Sequence, residues 1–451
     1  MPETLRVLIT RFLCGAMAAA LLPILPTYAY AGITIKFYVE VDTQAKDAGD
    51  FPAKVKSPNS YVLLEDSYLH FKGDEEGIYD FEKKAIYSIN REKGIYSEMS
   101  LFANVGFRDY ELRNRRFMSG ALEHAGVEDN QMSLIFSEHE LSVQAKESKS
   151  DILREERNGG ILFKGEGKEI LRVGGPIIEL EGKYRKQFIR FFRHRYGGHP
   201  SLIDQLTPSS GIYSNITIWQ RNVGEKKTHL HFISVEETQT NSYSLEGLKP
   251  FAETNDRLLA LVERVAGTTE SNRKKVEAEI LLNARQLIDK KDLVGAMLAY
   301  LEYTLVSGAQ DLPWTEKDRQ LLLNSNEVQE MLAATQNPTS REEAVSQIAS
   351  MEDIRKKQTE GSHILKIFES NTRASLGEHN VARELMMGAL EANPYIAGAW
   401  KDLGGFYFQS YEPYEAWICW DTGRRINPDH PLLKDINSFE ERLQAQHPGF
   451  F

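Results

Sequence analysis

Cysteine is almost absent: Cys14 and Cys419 are the only two in 451 residues. A pair so far apart builds no dense disulfide framework, so packing must hold the fold. Surplus positive charge is missing as well. Lys and Arg total 54 against 65 Asp and Glu, a formal net charge of −11, which argues against nucleic acid as a partner because phosphate neutralisation needs excess cations. Beyond the N-terminal region no apolar run approaches the ~20 residues a membrane span requires. The sequence also contains no phosphate-binding glycine loop, nucleophile elbow, zinc-protease helix or dinucleotide fingerprint. No catalytic signature, cofactor or metal site is therefore expected, and a non-enzymatic role is. What is present is a 41% hydrophobic fraction, enough for real cores, in a chain long enough for two or three domains.

The first 31 residues have the layout of a secretory signal peptide. Arg6 and Arg11 make a positive start, Phe12 to Leu25 is apolar, and Ala29-Tyr30-Ala31 offers a small-x-small cleavage site before Gly32. Bulky Leu13 ahead of Cys14 does not suit a lipidation site. Cleavage would remove Cys14 and leave Cys419 alone, and would make the remainder one charge unit more acidic. A periplasmic or secreted location is the expectation. The sequon Asn215-Ile216-Thr217 matters only in a eukaryotic secretory pathway.

Residues 32–240 read as an antiparallel β-rich domain with one or two helices. Ile33 to Val41 alternates apolar and polar residues, the period of a half-buried strand. Tyr61 to Phe71, Gly77 to Phe81, Ala85 to Ile89 and Gly94 to Met99 follow with short polar breaks, too short for parallel crossovers. Leu101 to Ala125 reads as a helix. Strands are expected again at Met132 to Phe136, Glu140 to Gln144, Gly160 to Lys164 and Glu169 to Val173, and a hairpin at Ile212 to Gln220 with Thr228 to Val235.

Lys183 to Tyr196 inverts the local charge. On a helix, Tyr184, Phe188, Phe191 and Phe192 form one aromatic stripe, while Arg185, Lys186, Arg190 and Arg193 are cationic. Two readings stand: an interfacial helix whose cations meet an anionic membrane surface, or a surface helix whose stripe is core. A sheet wrapped around a lipid or other apolar ligand would accord with the first. His229 and His231 share a strand face, and His194 or His199 could join them, but no further ligand pattern completes a metal site.

Residues 241–254 have linker composition, and from Asn255 the apolar period changes from two to 3.6. A helical region spans 255–360, with a helical hairpin at Glu277 to Leu305. Farther on, Trp400, Leu403, Gly404, Tyr407, Ala416, Trp420 and Pro428 recur at helical intervals, and Ala382, Ala389 and Pro394 precede Ala416, Gly423 and Pro428 by 34 residues. These residues resemble a tetratricopeptide repeat across Ala397 to His430. The preceding segment, His363 to Ile396, resembles a second one, with Lys366 in place of the first-helix aromatic and Glu369-Ser370 in place of Leu-Gly. Repeats need a cap, which His430 to Gln446 supplies. The resemblance implies helical hairpins over 361–451 and a concave surface presenting Asn371, Lys401 and Phe408 to a protein or peptide partner.

The expected protein is thus α+β: an antiparallel sheet domain, then an all-α domain that docks a partner in the cell envelope. The alternative is a carrier of an apolar ligand in the β domain.

Overall fold

The computed structural model describes residues 31–44, 54–126, 133–145, 151–157, 159–208, 210–221, 225–239, 242–251, 256–358 and 360–451. The expected signal peptide, apart from its last residue Ala31, lies outside them. The chain is mixed α+β, with a twelve-stranded sheet in its N-terminal part and helices thereafter.

The elements in chain order are β1 (Ala31–Gln44), β2 (Lys54–Leu64), β3 (Tyr68–Lys72), β4 (Glu76–Asp80), β5 (Ala85–Asn90), β6 (Ile95–Ser100), α1 (Leu101–His124), α2 (Leu134–Leu141), β7 (Ile152–Arg157), β8 (Gly160–Gly165), β9 (Lys168–Glu179), α3 (Gly182–Arg195), α4 (Pro200–Ile203), β10 (Gly211–Gln220), β11 (Glu225–Gln239) and β12 (Lys249–Pro250). Then come α5 (Asp256–Arg264), α6 (Glu270–Asp289), α7 (Leu293–Ser307), α8 (Glu316–Leu323), α9 (Asn326–Ala334), α10 (Arg341–Lys357), α11 (Ser362–Ser375), α12 (His379–Ala392), α13 (Ala397–Gln409), α14 (Pro413–Ile426) and α15 (Lys434–Gln446).

Two compact units form, and they interleave in sequence instead of dividing at the expected 241–254 linker. The first takes residues up to Ile78, Ile152–Phe192 and Ile203–Leu248; the second takes Tyr79–Asp151, Arg193–Leu202 and everything from Lys249. Chain order and spatial order part company here because strands and helices pair with distant segments.

In the first unit the strand order is β3-β2-β1-β11-β10-β9-β8-β7. β1 and β11 are antiparallel with Val39 opposite Leu230, and β10 pairs β11 with Ile216 opposite Leu230, as the hairpin reading requires. The alternation of β1 sends Ile33, Ile35, Phe37 and Val39 into the core. There the aromatic stripe of α3 meets them: Phe188 lies 5.2 Å from Phe232, and Phe191 lies 5.9 Å from Phe37 and 6.4 Å from Phe71. Tyr184, Phe188, Phe191 and Phe192 are all buried, so the stripe is core. The opposite residues of β1 make cross-strand pairs, among them Thr34 with Thr238 (2.8 Å), Lys36 with Glu236 (2.8 Å) and Glu40 with Lys56 (2.8 Å).

In the second unit β5 and β6 are antiparallel, and β12, drawn from the expected linker, pairs in parallel with β6. α1 follows β6 directly, capped by Ser100, whose Oγ accepts from the Phe102 N–H at 3.2 Å. One correction concerns residues 132–144. Two strands were expected, but a single helix, α2, occupies Leu134–Leu141 and stops at Ser142 in a left-handed conformation (φ 55°). Short apolar runs do not discriminate strand from helix, and here six of the eight helical residues are buried. Helices α5 to α15 share one apolar core with α1, running from Phe102 and Val105 through Leu258, Ala296 and Met331 to Trp400, Trp417 and Phe450.

Candidate functional site

The helices from Ser362 to Ile426 pack in successive pairs, α11 with α12 and α13 with α14. Their closest approach is set by small residues. A Cβ on Gly404 would sit 2.8 Å from the Ala416 carbonyl oxygen and collide with the Trp420 indole. One pair earlier the equivalent position is Ser370, whose Oγ donates to the Ala382 carbonyl at 2.6 Å. Glu369 beside it is buried and takes Arg355 and Arg373 at 2.8 Å each. The departures from the repeat pattern at 369–370 are thus satisfied by hydrogen bonds and ion pairs. The indoles find acceptors as well: Trp400 donates to the Pro394 carbonyl (2.7 Å), Trp420 to the Lys401 carbonyl (3.0 Å) and Trp417 to Glu440 (2.8 Å).

Of the three residues expected on a partner-binding surface, two come together. Asn371 on α11 donates to Asp402 at 3.0 Å and Lys401 on α13 reaches the same carboxylate at 3.2 Å. Phe408 turns inward. Its ring lies 4.9 Å from Tyr110 of α1, 5.7 Å from Trp417 and from Trp420, and 5.8 Å from Phe439 of α15. The face expected to be open at Phe408 is occupied by the chain's own α1.

A cleft of about 370 Å³ opens instead on the other side of Tyr407, lined by Asn380, Arg383, Glu384 and Met387 of α12 and by Glu412 and Glu415 near the start of α14. Arg383 bonds Glu412 at 2.5 Å and Asn380 at 2.8 Å, and its guanidinium stands 5.3 Å from the Tyr407 ring. The Tyr407 hydroxyl donates to the Met387 sulfur at 3.8 Å, and burial pushes its pKa up, against the pull of Arg383. Glu384 is held by Arg257 at 2.6 Å, which also grips Glu391 at 2.6 Å. Glu415 makes no ion pair among the described residues. Apart from Tyr407, none of these residues stood out in the sequence, because Arg383 and Glu412 lie 29 positions apart and nothing local links them.

The other candidates disperse. Arg185 donates to the Pro208 carbonyl (2.8 Å), Arg193 to the Ser142 carbonyl (3.2 Å), and burial lowers the Arg190 pKa; of the four, Lys186 is exposed and the other three are half-buried. His229 bonds Thr217 (2.9 Å) and His231 bonds Asn215 (2.7 Å), and their rings lie 6.3 Å apart. Burial lowers both imidazole pKa values. His194 and His199 belong to the second unit, and among the described residues no group of three or more ligands could hold a metal ion.

No protein-family model matches the chain, and comparison with curated proteins gives no match.

Proposed function

We propose that the chain is an exported, periplasmic adaptor whose helix pairs α11–α12 and α13–α14 are tetratricopeptide-like repeats that dock a polypeptide. The carrying observation is the cleft at Tyr407, a concave site with an aromatic wall, a thioether and several convergent charged groups. The matched contacts of Ser370 with Ala382 and of Gly404 with Ala416, at the 34-residue offset of the sequence pattern, support the repeat reading. Glu412 is neutralised by Arg383 and Glu384 by Arg257, which leaves Glu415 to attract a cationic side chain on the partner. The sheet unit serves as scaffold, since the rings of α3 fill the space over β1, β3 and β11.

Selection of a random peptide library on the immobilised full chain tests this. One sequence pattern containing Lys or Arg should be enriched, and Glu415→Gln or Glu415→Lys should weaken binding of the selected peptides, the second at least about tenfold, the loss of one charge-assisted contact. No enrichment, or enrichment indifferent to both substitutions, would overturn the reading.

A further inference from the structure

A second cluster lies in the same unit, away from the cleft. Glu138 of α2 and His199, which precedes α4, are fully buried, whereas Ser201 is exposed. The Ser201 hydroxyl is 2.8 Å from His199 Nδ1, and His199 Nε2 is 3.0 Å from Glu138 Oε2. The tautomer follows from the neighbours. The backbone N–H of Ser201 also points at Nδ1, at 3.3 Å, so that nitrogen is an acceptor and the ring proton resides on Nε2, where it donates to Glu138. The second Glu138 oxygen accepts the Ala145 N–H at 3.0 Å. The segment carrying His199 is fixed as well: the His199 N–H donates to His139 Nδ1 (3.0 Å), the Gly198 N–H to the His139 carbonyl (2.8 Å) and the Ser142 hydroxyl to the Gly198 carbonyl (2.9 Å). Gly197 and Gly198 adopt φ of 83° and 118°, which a side chain would oppose.

We propose that Ser201 is an activated nucleophile, with His199 as its base and Glu138 as the positioning residue, in acyl transfer from activated esters or thioesters. A hydroxyl, an imidazole acceptor and a carboxylate that fixes the tautomer are the elements of nucleophilic catalysis, and their order is set by geometry, not by sequence spacing. Capping of α4 requires only the Nδ1 acceptor, which a small Asp or Asn supplies; it explains neither the buried carboxylate behind the ring nor the hydroxyl in front of it. In the first step the Ser201 oxygen bonds the acyl carbon, its proton passes to Nδ1, and the leaving alcohol or thiol takes that proton as its bond breaks. In the second, water attacks the acyl-serine with the same base, releasing the acid and restoring the hydroxyl. The Leu202 N–H is committed to the His199 carbonyl at 2.9 Å and the Ser201 N–H to Nδ1, so donors for a developing oxyanion are scarce beside the nucleophile. This confines the substrate class to acyl groups with good leaving groups.

The full chain should be treated with a fluorophosphonate probe and, separately, with p-nitrophenyl acetate. One adduct on Ser201 is expected by peptide mapping, and Ser201→Ala, a change at an exposed position, should remove it and lower ester hydrolysis at least about 100-fold. Imidazole added to His199→Gly should restore part of the lost rate where that variant folds. An adduct absent from Ser201, spread over several serines, or unaltered hydrolysis in Ser201→Ala would each overturn the proposal.

Discussion

A Cβ atom on Gly106 would come within 2.6 Å of Cη2 of Trp417, so this glycine of α1 is the seat of an indole from α14. Around that contact Tyr110 meets Phe408 and Tyr411, at 4.9 and 5.3 Å. α1 therefore does for the last helix pair what a neighbouring repeat would do: it covers the apolar surface that a terminal pair leaves open.

Gly106→Ala should therefore destabilise the fold by about 1–3 kcal/mol, the range for overfilling a packed core. Gly120→Ala, in the same helix with no atom within 4 Å of the added carbon, should be neutral or stabilising by about 0.5–1 kcal/mol. Urea denaturation followed by tryptophan fluorescence checks both, and equal effects would contradict the seat.

Phe408→Ala should cost about 3 kcal/mol because the ring is enclosed by four aromatic neighbours. Lys401→Glu, at a half-buried lysine whose ammonium pairs with Asp402 at 3.2 Å, should cost under about 1 kcal/mol. Thermal unfolding of the two variants separates the packed ring from the ion pair.

Cys419 is fully buried, and burial raises its pKa well above the usual thiol range. The thiolate is the reactive form. In a chain carrying Cys14→Ser, a disulfide reagent should leave Cys419 untouched until denaturant opens the core, and then titrate one thiol. Rapid labelling under native conditions would place α14 elsewhere.

His430 is buried, and burial lowers its pKa, opposed by the backbone carbonyls of Leu305 and Thr304, which favour the protonated ring. Its folded pKa thus lies below the value of about 6.5 for an unfolded histidine, and the unfolded chain binds the extra proton. The stability associated with this residue should be fully present above about pH 6.5 and decline as pH falls below it. His430→Gln should flatten the stability profile between about pH 7 and 5, which denaturation at several pH values would reveal.

Local patterns made part of this structure legible. The alternation of Ile33 to Val39 gave a strand with the right face inward, and the i, i+4, i+7, i+8 aromatics of α3 gave a helix seated on the sheet. Gly404, Ala416 and Trp420 lie within one hairpin, so their spacing carries their geometry. The segment at 132–144 failed because its apolar runs are too short to carry a period. The roles of Phe408 and of the cleft were out of reach for another reason. Asn114 and Tyr411, which bond each other, are 297 positions apart, and no periodicity spans that distance.

The seating of α1 also fixes an order of events. This helix leaves the ribosome with Phe102, Val105 and Leu112 on its apolar side, whereas Trp417 and Leu443, which complete the same core, follow roughly 300 positions later. That intervening stretch must be synthesised before the side is covered. Until then the nascent protein carries an adhesive stripe, and its survival depends on how quickly α14 and α15 arrive or on what shields the stripe in the meantime.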